Sequence, residues 1–349
     1  MHYFRPMDAV MQQDLSDKFK NATGCRHYLS VDDHTGMEDY LREQEFLIPG
    51  EEVIALMPAG EGNMNVTLRV LTSRRRIIVK QSRPWVARFP DLSAPIDRIL
   101  VERHFYQAVA RNRYLSGHMP ELLRSDAKNF VLILEDLGPV SDLSNLYSRG
   151  TSLGRKQLKT LLQYAGELHT QRPIGFPANR ALKELNHTHI FDLPFRPDNG
   201  FPLEAIHPGL AAVALPYQHD RMLRKEITRL GRIYLAAGDH LIHGDYHPGS
   251  FVQVEDRIFV IDTEFAHLGR PEFDIGVLMG HLLMTKASEG RIQQVDLDYR
   301  KPPGFDVALT RKFCYVEIMR RIIGIAQLPL SLSLDERKHL LERARVGLL

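Results

Sequence analysis

The sequence predicts an α+β fold in two lobes, with a small antiparallel sheet in residues 1–137 and a mostly helical body in residues 138–349. Three observations carry this. Short aliphatic and β-branched runs follow one another at Val53–Leu56, Val66–Leu71 and Ile77–Val79, the pattern of a meander. Beyond Gly154 apolar residues recur at helical spacing, as in 155–170. A chain of 349 residues, 44% of them hydrophobic, can also bury a sizeable core, and its length suits two lobes.

Taken in order, the opening stretch mixes helical and polar patterns, with Met37–Gln44 its best helical piece. Between the first two strand runs lies Ala59-Gly-Glu-Gly-Asn-Met-Asn65, a loop of small residues. A plain hairpin turn would look the same, but such a backbone can approach a triphosphate closely, and Gly60, Gly62 and Asn63 are its candidate contacts. Arg74-Arg75-Arg76 reads as the polar turn before the third strand, which leads into Lys80; the helix expected after it carries Glu102. Loop, strand lysine and helix glutamate, in that order, build lobes in which the lysine holds the α- and β-phosphates and the glutamate pairs with the lysine. Phe130–Leu134 reads as a buried strand leading into Glu135-Asp136-Leu137-Gly138. Backbone groups at Glu135 and Leu137 are candidates for an adenine edge, although a strand leaving its sheet into a polar turn has the same local look.

Further helices are expected over Arg155–Thr170, Arg221–Ala237, Phe273–Thr285, Arg311–Gln327 and Asp335–Leu349. A Pro-, Gly- and His-rich stretch from Arg172 to about Pro216 reads as loops and short helices. His187 and His189 within it have no neighbouring carboxylate or cysteine, so they read as packing or surface residues rather than metal ligands.

The chemistry concentrates in Leu241-Ile-His-Gly-Asp-Tyr-His-Pro-Gly-Ser250, followed by Phe251-Val-Gln-Val254 and Ile258-Phe-Val-Ile-Asp-Thr-Glu264. Two apolar runs flank the turn Glu255-Asp256, which makes a β-hairpin with Asp245 at one mouth and Asp262 and Glu264 at the other. Moving a phosphoryl group needs such a set: one carboxylate to orient and deprotonate an attacking hydroxyl, and others to hold magnesium against the phosphates.

On those residues, His243-Gly-Asp-Tyr-His-Pro-Gly-Ser250, Asp262-Thr-Glu-Phe-Ala266 and Phe273-Asp-Ile-Gly276 resemble the catalytic segment of the 5-methylthioribose kinase family, within the aminoglycoside- and choline-kinase-like phosphotransferases. Many relatives end the first motif in a metal-binding Asn, whereas methylthioribose kinases end it in Gly-Ser and use an Asp-x-Glu pair downstream; Ser250 and Glu264 follow the latter. The resemblance covers roughly residues 50–330. It implies a protein-kinase-like fold, ATP and Mg2+ as cofactors, and in-line transfer to a sugar hydroxyl, with Asp245 catalytic and Asp262 and Glu264 on the metal. Arg320-Arg321 resembles the twin arginines that the family presents to sugar hydroxyls, a task suited to the fixed fork of guanidinium donors. Adjacent helix positions point to different faces, so one arginine is expected on substrate and the other in a salt bridge. His243 is expected to brace the loop, and Asp274 to cap its helix or anchor the catalytic segment. Where the family carries a Ser-Trp-Pro loop near the sugar, this chain reads Leu92-Ser-Ala-Pro95, with its only tryptophan, Trp85, earlier in that loop.

A net charge of +2, from 45 basic and 43 acidic residues, gives no case for nucleic acid or a membrane surface as partner. No apolar run approaches the roughly 20 residues of a membrane span, and Met1–Asp8 reaches polar residues at once, unlike a signal peptide. Cys25 and Cys314 have no metal-ligand spacing and read as free thiols in a reducing compartment, hence the cytoplasm. The expected partner is a small-molecule alcohol, with a homodimer open as the assembly. Competing readings are a choline kinase, which needs an aromatic cage, an aminoglycoside kinase, which needs an acidic lining, and a catalytically silent binding protein. The last has no physical need for clustered, mutually repelling carboxylates.

Overall fold

The computed structural model describes residues 9–60, 64–148 and 153–349. The chain clusters into two compact units, residues 1–103 with 120–138 and residues 104–119 with 139–349.

The first unit opens with helices α1 (Ala9–Thr23) and α2 (His34–Glu43). Strands β1 (Val53–Pro58), β2 (Val66–Thr72) and β3 (Arg76–Gln81) follow as an antiparallel meander. The ribbon β4 (Trp85–Val86) and β5 (Phe89–Ser93), the first half of helix α3 (Arg98–Val109, whose residues from 104 on are counted in the second unit), and strands β6 (Leu122–Asp126) and β7 (Val131–Glu135) complete it. The main sheet runs β1-β2-β3-β7-β6. Inward Leu68 and Val70 of β2 and Ile77 and Val79 of β3 meet Met37, Tyr40 and Leu41, the i, i+3, i+4 face of α2. That helix starts where the Asp33 carboxylate accepts the Gly36 N–H (2.8 Å). Pro58, which cannot donate to a ladder, sits on edge strand β1. The strand expected at Phe130 begins at Val131, because Phe130 takes a left-handed conformation (φ 53). Strand β6 escaped the sequence reading: it is the opposite edge, and Leu-Leu-Arg-Ser-Asp has no clear alternation. Trp85, placed by sequence in a loop, is buried with Leu15 and Phe19 of α1 and serves as core.

The second unit contains α4 (Arg113–Ser116), α5 (Arg155–Leu168), α6 (Arg180–His187), α7 (Leu203–Ile206), α8 (Leu210–His219) and α9 (Arg221–Leu235). Then come β8 (His240–Ile242), the hairpin β9 (Phe251–Val254) and β10 (Arg257–Val260), and β11 (His267–Gly269), which pairs antiparallel with β8. Helices α10 (Pro271–Met284), α11 (Glu289–Asp298), α12 (Val307–Ile323) and α13 (Leu334–Leu348) finish the chain. The helix expected over 311–327 starts and ends earlier, because Asp306 caps it by accepting the Leu309 N–H and Gly324 closes it. Helix α10 is apolar nearly all round and buried. Its contact with α12 is close because Gly276 and Gly280 lie one turn apart on it. A Cβ at Gly276 would fall 2.7 Å from Phe313 Cβ, and one at Gly280 3.0 Å from the Cys314 carbonyl. Among the described residues no helix is long and apolar enough to cross a membrane.

Candidate active site

In the first unit Lys80 sits at the centre of the sheet, opposite Thr67 of β2 and Leu132 of β7. Its Nζ lies 2.7 Å from Glu102 Oε2 on α3, with both side chains buried. Burying either charge alone would cost several kcal/mol, on the order of 3–5, so each holds the other in place. Gly60 follows β1 with φ +97, a region side-chain-bearing residues rarely adopt. Gly62 and Asn63 lie outside the described residues. The far end of that loop is tied down where Arg98 Nη2 and the Ala87 N–H both donate to the Met64 carbonyl (2.6 and 3.1 Å). The segment 135–138 is also fixed. Arg69 donates to Asp136 Oδ2 (2.9 Å) and to the Gly138 carbonyl (2.6 Å), and Glu135 Oε2 accepts the Glu121 N–H (3.0 Å). Arg69 and Asp136, which hold this turn, carried no sequence signal beyond being charged.

In the second unit the loop between β8 and β9 carries Asp245. Gly244 turns it with φ +83, and a Cβ there would lie 2.3 Å from the Phe265 carbonyl. Alanine at this position would meet both strain and a clash. Asp274, fully buried, accepts the N–H groups of His243 (2.7 Å) and Gly244 (2.9 Å) and faces His169 Nε2 (3.1 Å). Of its two expected roles, loop anchoring is the one it performs. His243 Nδ1 accepts the Asp245 N–H (3.3 Å), which leaves Nε2–H to donate to the Ile261 carbonyl (2.9 Å). The Ile261 N–H in turn donates to the Ser250 carbonyl (2.9 Å). These bonds clamp the Asp245 loop to the end of β10, where Asp262 (φ 60) turns the chain into 263–265 and Glu264 is buried. Asn179 Nδ2 braces that turn by donating to the Glu264 and Ala266 carbonyls (2.8 and 3.1 Å). Ser250 Oγ is committed to the Asp245 carbonyl (2.8 Å).

The Asp245 carboxylate, 25% exposed, has Arg320 Nη2 and Arg321 Nη2 each 3.7 Å from Oδ1, and His247 Nε2 3.2 Å from Oδ2. Burial opposes its ionisation, but the imidazole of His247 and the guanidiniums of Arg321 and Arg320 outweigh it, and the carboxyl is held well below the ordinary range. The two arginines do not diverge as adjacent positions were expected to. Both bond back to Glu317, Arg320 Nε to Oε2 (2.5 Å) and Arg321 Nε to Oε1 (2.8 Å). Glu317 lies at i−3 from one and i−4 from the other, and long side chains swing from either flank onto it.

The phosphotransferase enzyme family matches residues 56–309, from β1 into the start of α12. The chain belongs to that family. This phosphotransferase is 24% identical to the methylthioribose kinase of Exiguobacterium sibiricum, an alignment covering 86% of this chain and 87% of the relative. It is 26% identical to that of Yersinia pestis strain Pestoides F, over 86% of each. Among solved structures it resembles LicA in complex with AMP (TM-score 0.52, 14% identity, 91% of this chain and 99% of the other). The choline kinase LicA from Streptococcus pneumoniae is similar as well (TM-score 0.50, 15% identity, 89% and 98%). The expected kinase-like α+β fold is therefore the fold of this phosphotransferase.

Several residues around its Asp245 loop were not singled out from sequence. His247 belongs to the quoted motif without an assigned role, and Glu317 shows an i, i+4 relation to Arg321 that could have been read. His169, His281 and Tyr147 gave no signal, because what matters is their position across the packed helices.

Proposed function

We propose that this phosphotransferase transfers the γ-phosphoryl group of ATP to a hydroxyl of a small sugar, with methylthioribose the leading acceptor. The observation that carries the proposal is the Asp245 carboxylate, kept ionised by three cationic or hydrogen-bonding side chains on a loop clamped to Asp262 and Glu264. A carboxylate held this far down is a weak base. Asp245 therefore orients the acceptor hydroxyl and takes its proton late, as a loose phosphoryl-transfer transition state allows. Arg320 and Arg321, with Nη groups directed at the same place, can also grip acceptor oxygens.

On the nucleotide side, Lys80, oriented by Glu102, is assigned to the phosphates. Gly60 and the loop after it are assigned to close backbone approach, and backbone groups at Glu135 and Leu137 to adenine. Asp262 and Glu264 offer hard carboxylate oxygens, a donor set that fits magnesium completed by phosphate oxygens and water. When bound, that ion would supply neutralisation of phosphate charge. The likeness to methylthioribose kinases over most of the chain supports the acceptor, whereas the choline-kinase likeness bears on the fold alone.

A coupled assay of ATP consumption against methylthioribose, other sugars, amino alcohols and aminoglycosides tests this reading. Turnover of another alcohol with none of methylthioribose would retire the acceptor and leave the transfer standing; nucleotide binding without turnover of any of them would retire the transfer.

Asp262→Asn and Glu264→Gln should each weaken magnesium-dependent nucleotide binding, and Ser250→Ala much less, since its hydroxyl serves the Asp245 carbonyl. A magnesium titration in which Ser250→Ala is the most damaging variant would move the metal to Ser250. Arg320→Ala or Arg321→Ala should raise the acceptor KM by the equivalent of about 1.5–3 kcal/mol. Each should also lower kcat, because Asp245 loses a partner, and leave the ATP KM unchanged. Steady-state kinetics in both substrates would show this, and an ATP KM that rises in parallel would count against it.

A further inference from the structure

We propose that Glu317 is a positioning residue for the transfer: its carboxylate, held from behind by His281 and Tyr147, aims the guanidiniums of both Arg320 and Arg321 at Asp245. The inference rests on the reading of Asp245 as the group that orients the acceptor hydroxyl.

Glu317 is 1% exposed, where a carboxylate survives as a charge only if it is fully bonded. Its partners are complete and directional. Oε2 accepts from Arg320 Nε, and Oε1 accepts from both Arg321 Nε and His281 Nε2 (2.8 Å each). With their Nε ends spent on Glu317, both guanidiniums turn an Nη2 forward to Asp245 Oδ1. Two long, rotatable side chains would otherwise have to be ordered separately, at an entropic cost to each. The carboxylate is itself oriented. His281 Nδ1 faces the Tyr147 hydroxyl (2.7 Å), and burial holds the imidazole down at about 3. The neutral ring thus accepts from Tyr147 and donates from Nε2–H to Glu317. The same ring stacks on His247 (centroids 4.9 Å apart, planes 17° apart), whose Nε2 reaches Asp245 Oδ2. Gly280 makes the reach from α10 to α12 short enough, since a Cβ there would fall 3.2 Å from the Cβ and Cγ of Glu317. Both Asp245 oxygens are therefore approached by side chains that lean on His281, one through Glu317 and the arginines and one through His247.

The test is a kinetic cycle with ATP and methylthioribose, or with whichever alcohol of the panel turns over. Glu317→Gln keeps the volume and removes the charge. It should lower kcat by about 10- to 100-fold at unchanged ATP KM, the scale of misplacing a reacting group by a fraction of an ångström to an ångström. In an Arg320→Ala/Arg321→Ala background the same substitution should cost nothing further, because it acts through those arginines. An equal loss in both backgrounds, or a kcat within about twofold of the parent, overturns the proposal. Should Glu317→Gln fail to fold, Tyr147→Phe removes a single hydroxyl. A several-fold loss of kcat that disappears in the double-arginine background supports the relay, and an unchanged kcat overturns it. Asp245→Asn separates the two levels. If it keeps turnover, the assignment of Asp245 and this inference both fall; if it loses turnover while Glu317→Gln and Tyr147→Phe do not, only this inference falls.

Discussion

Asp245→Asn is expected to lower kcat by about 10²- to 10⁴-fold while leaving nucleotide affinity close to that of the parent. Asparagine preserves the shape of the side chain and its place on the loop, so the clamp from His243 to Ile261 stays. What disappears is the charge facing Arg320, Arg321 and His247, and with it the acceptor for the hydroxyl proton. Single-turnover kinetics measure the transfer and calorimetric titration with nucleotide measures the affinity. Near-parental turnover would remove Asp245 from the reaction, and a matching loss of nucleotide affinity would assign it to the nucleotide instead.

Asp274→Ala should destabilise the protein by about 3–5 kcal/mol, the cost of breaking a buried charged network by removing one partner. Its carboxylate accepts from the His243 and Gly244 N–H groups and from His169, all of them buried. Burial by itself would raise the Asp274 carboxyl, but the hydrogen bond and charge of His169, with His243, outweigh it and hold it below its ordinary value. A folded-state value below the unfolded one, about 3.9, means the stabilisation is present above that pH and is withdrawn as pH falls through the folded value. Denaturant unfolding of parent and variant should show the same gap at pH 7 and at about pH 5, and a gap that narrows as pH is taken below about 3.9. A loss under 1 kcal/mol at pH 7 would contradict the anchoring role.

Much of the site was legible because its signals are local. The β9–β10 hairpin announces itself through two apolar runs and a polar turn, and its register carries Asp245 and Asp262 to one end. The lysine of β3 and the glutamate of α3 were candidates from their order along the chain, but the order left their pairing open, and it is the packing of α3 on the sheet that brings them to 2.7 Å. Less could be read where a residue's environment depends on distant packing. Trp85 was placed in a loop until α1 was seen to cover it. The two arginines were assigned to different faces because sequence supplies the helix period but not the reach of the side chains or the buried carboxylate between them.

By itself, then, the sequence determined the α+β class, the strand meander, the hairpin and the acidic residues at its mouths, since periodicity and turn chemistry act over a few residues. Only the tertiary structure decided which partner each charged group took. Asp274 anchors the loop, Glu317 gathers the arginines and His281 stands between Tyr147 and Glu317 because helices α10 and α12 meet across two glycines. Burial makes an unpaired charge costly, so the partner is chosen by whatever donor or acceptor the packing of distant segments brings within about 3 Å, and that distance is not written in any local pattern.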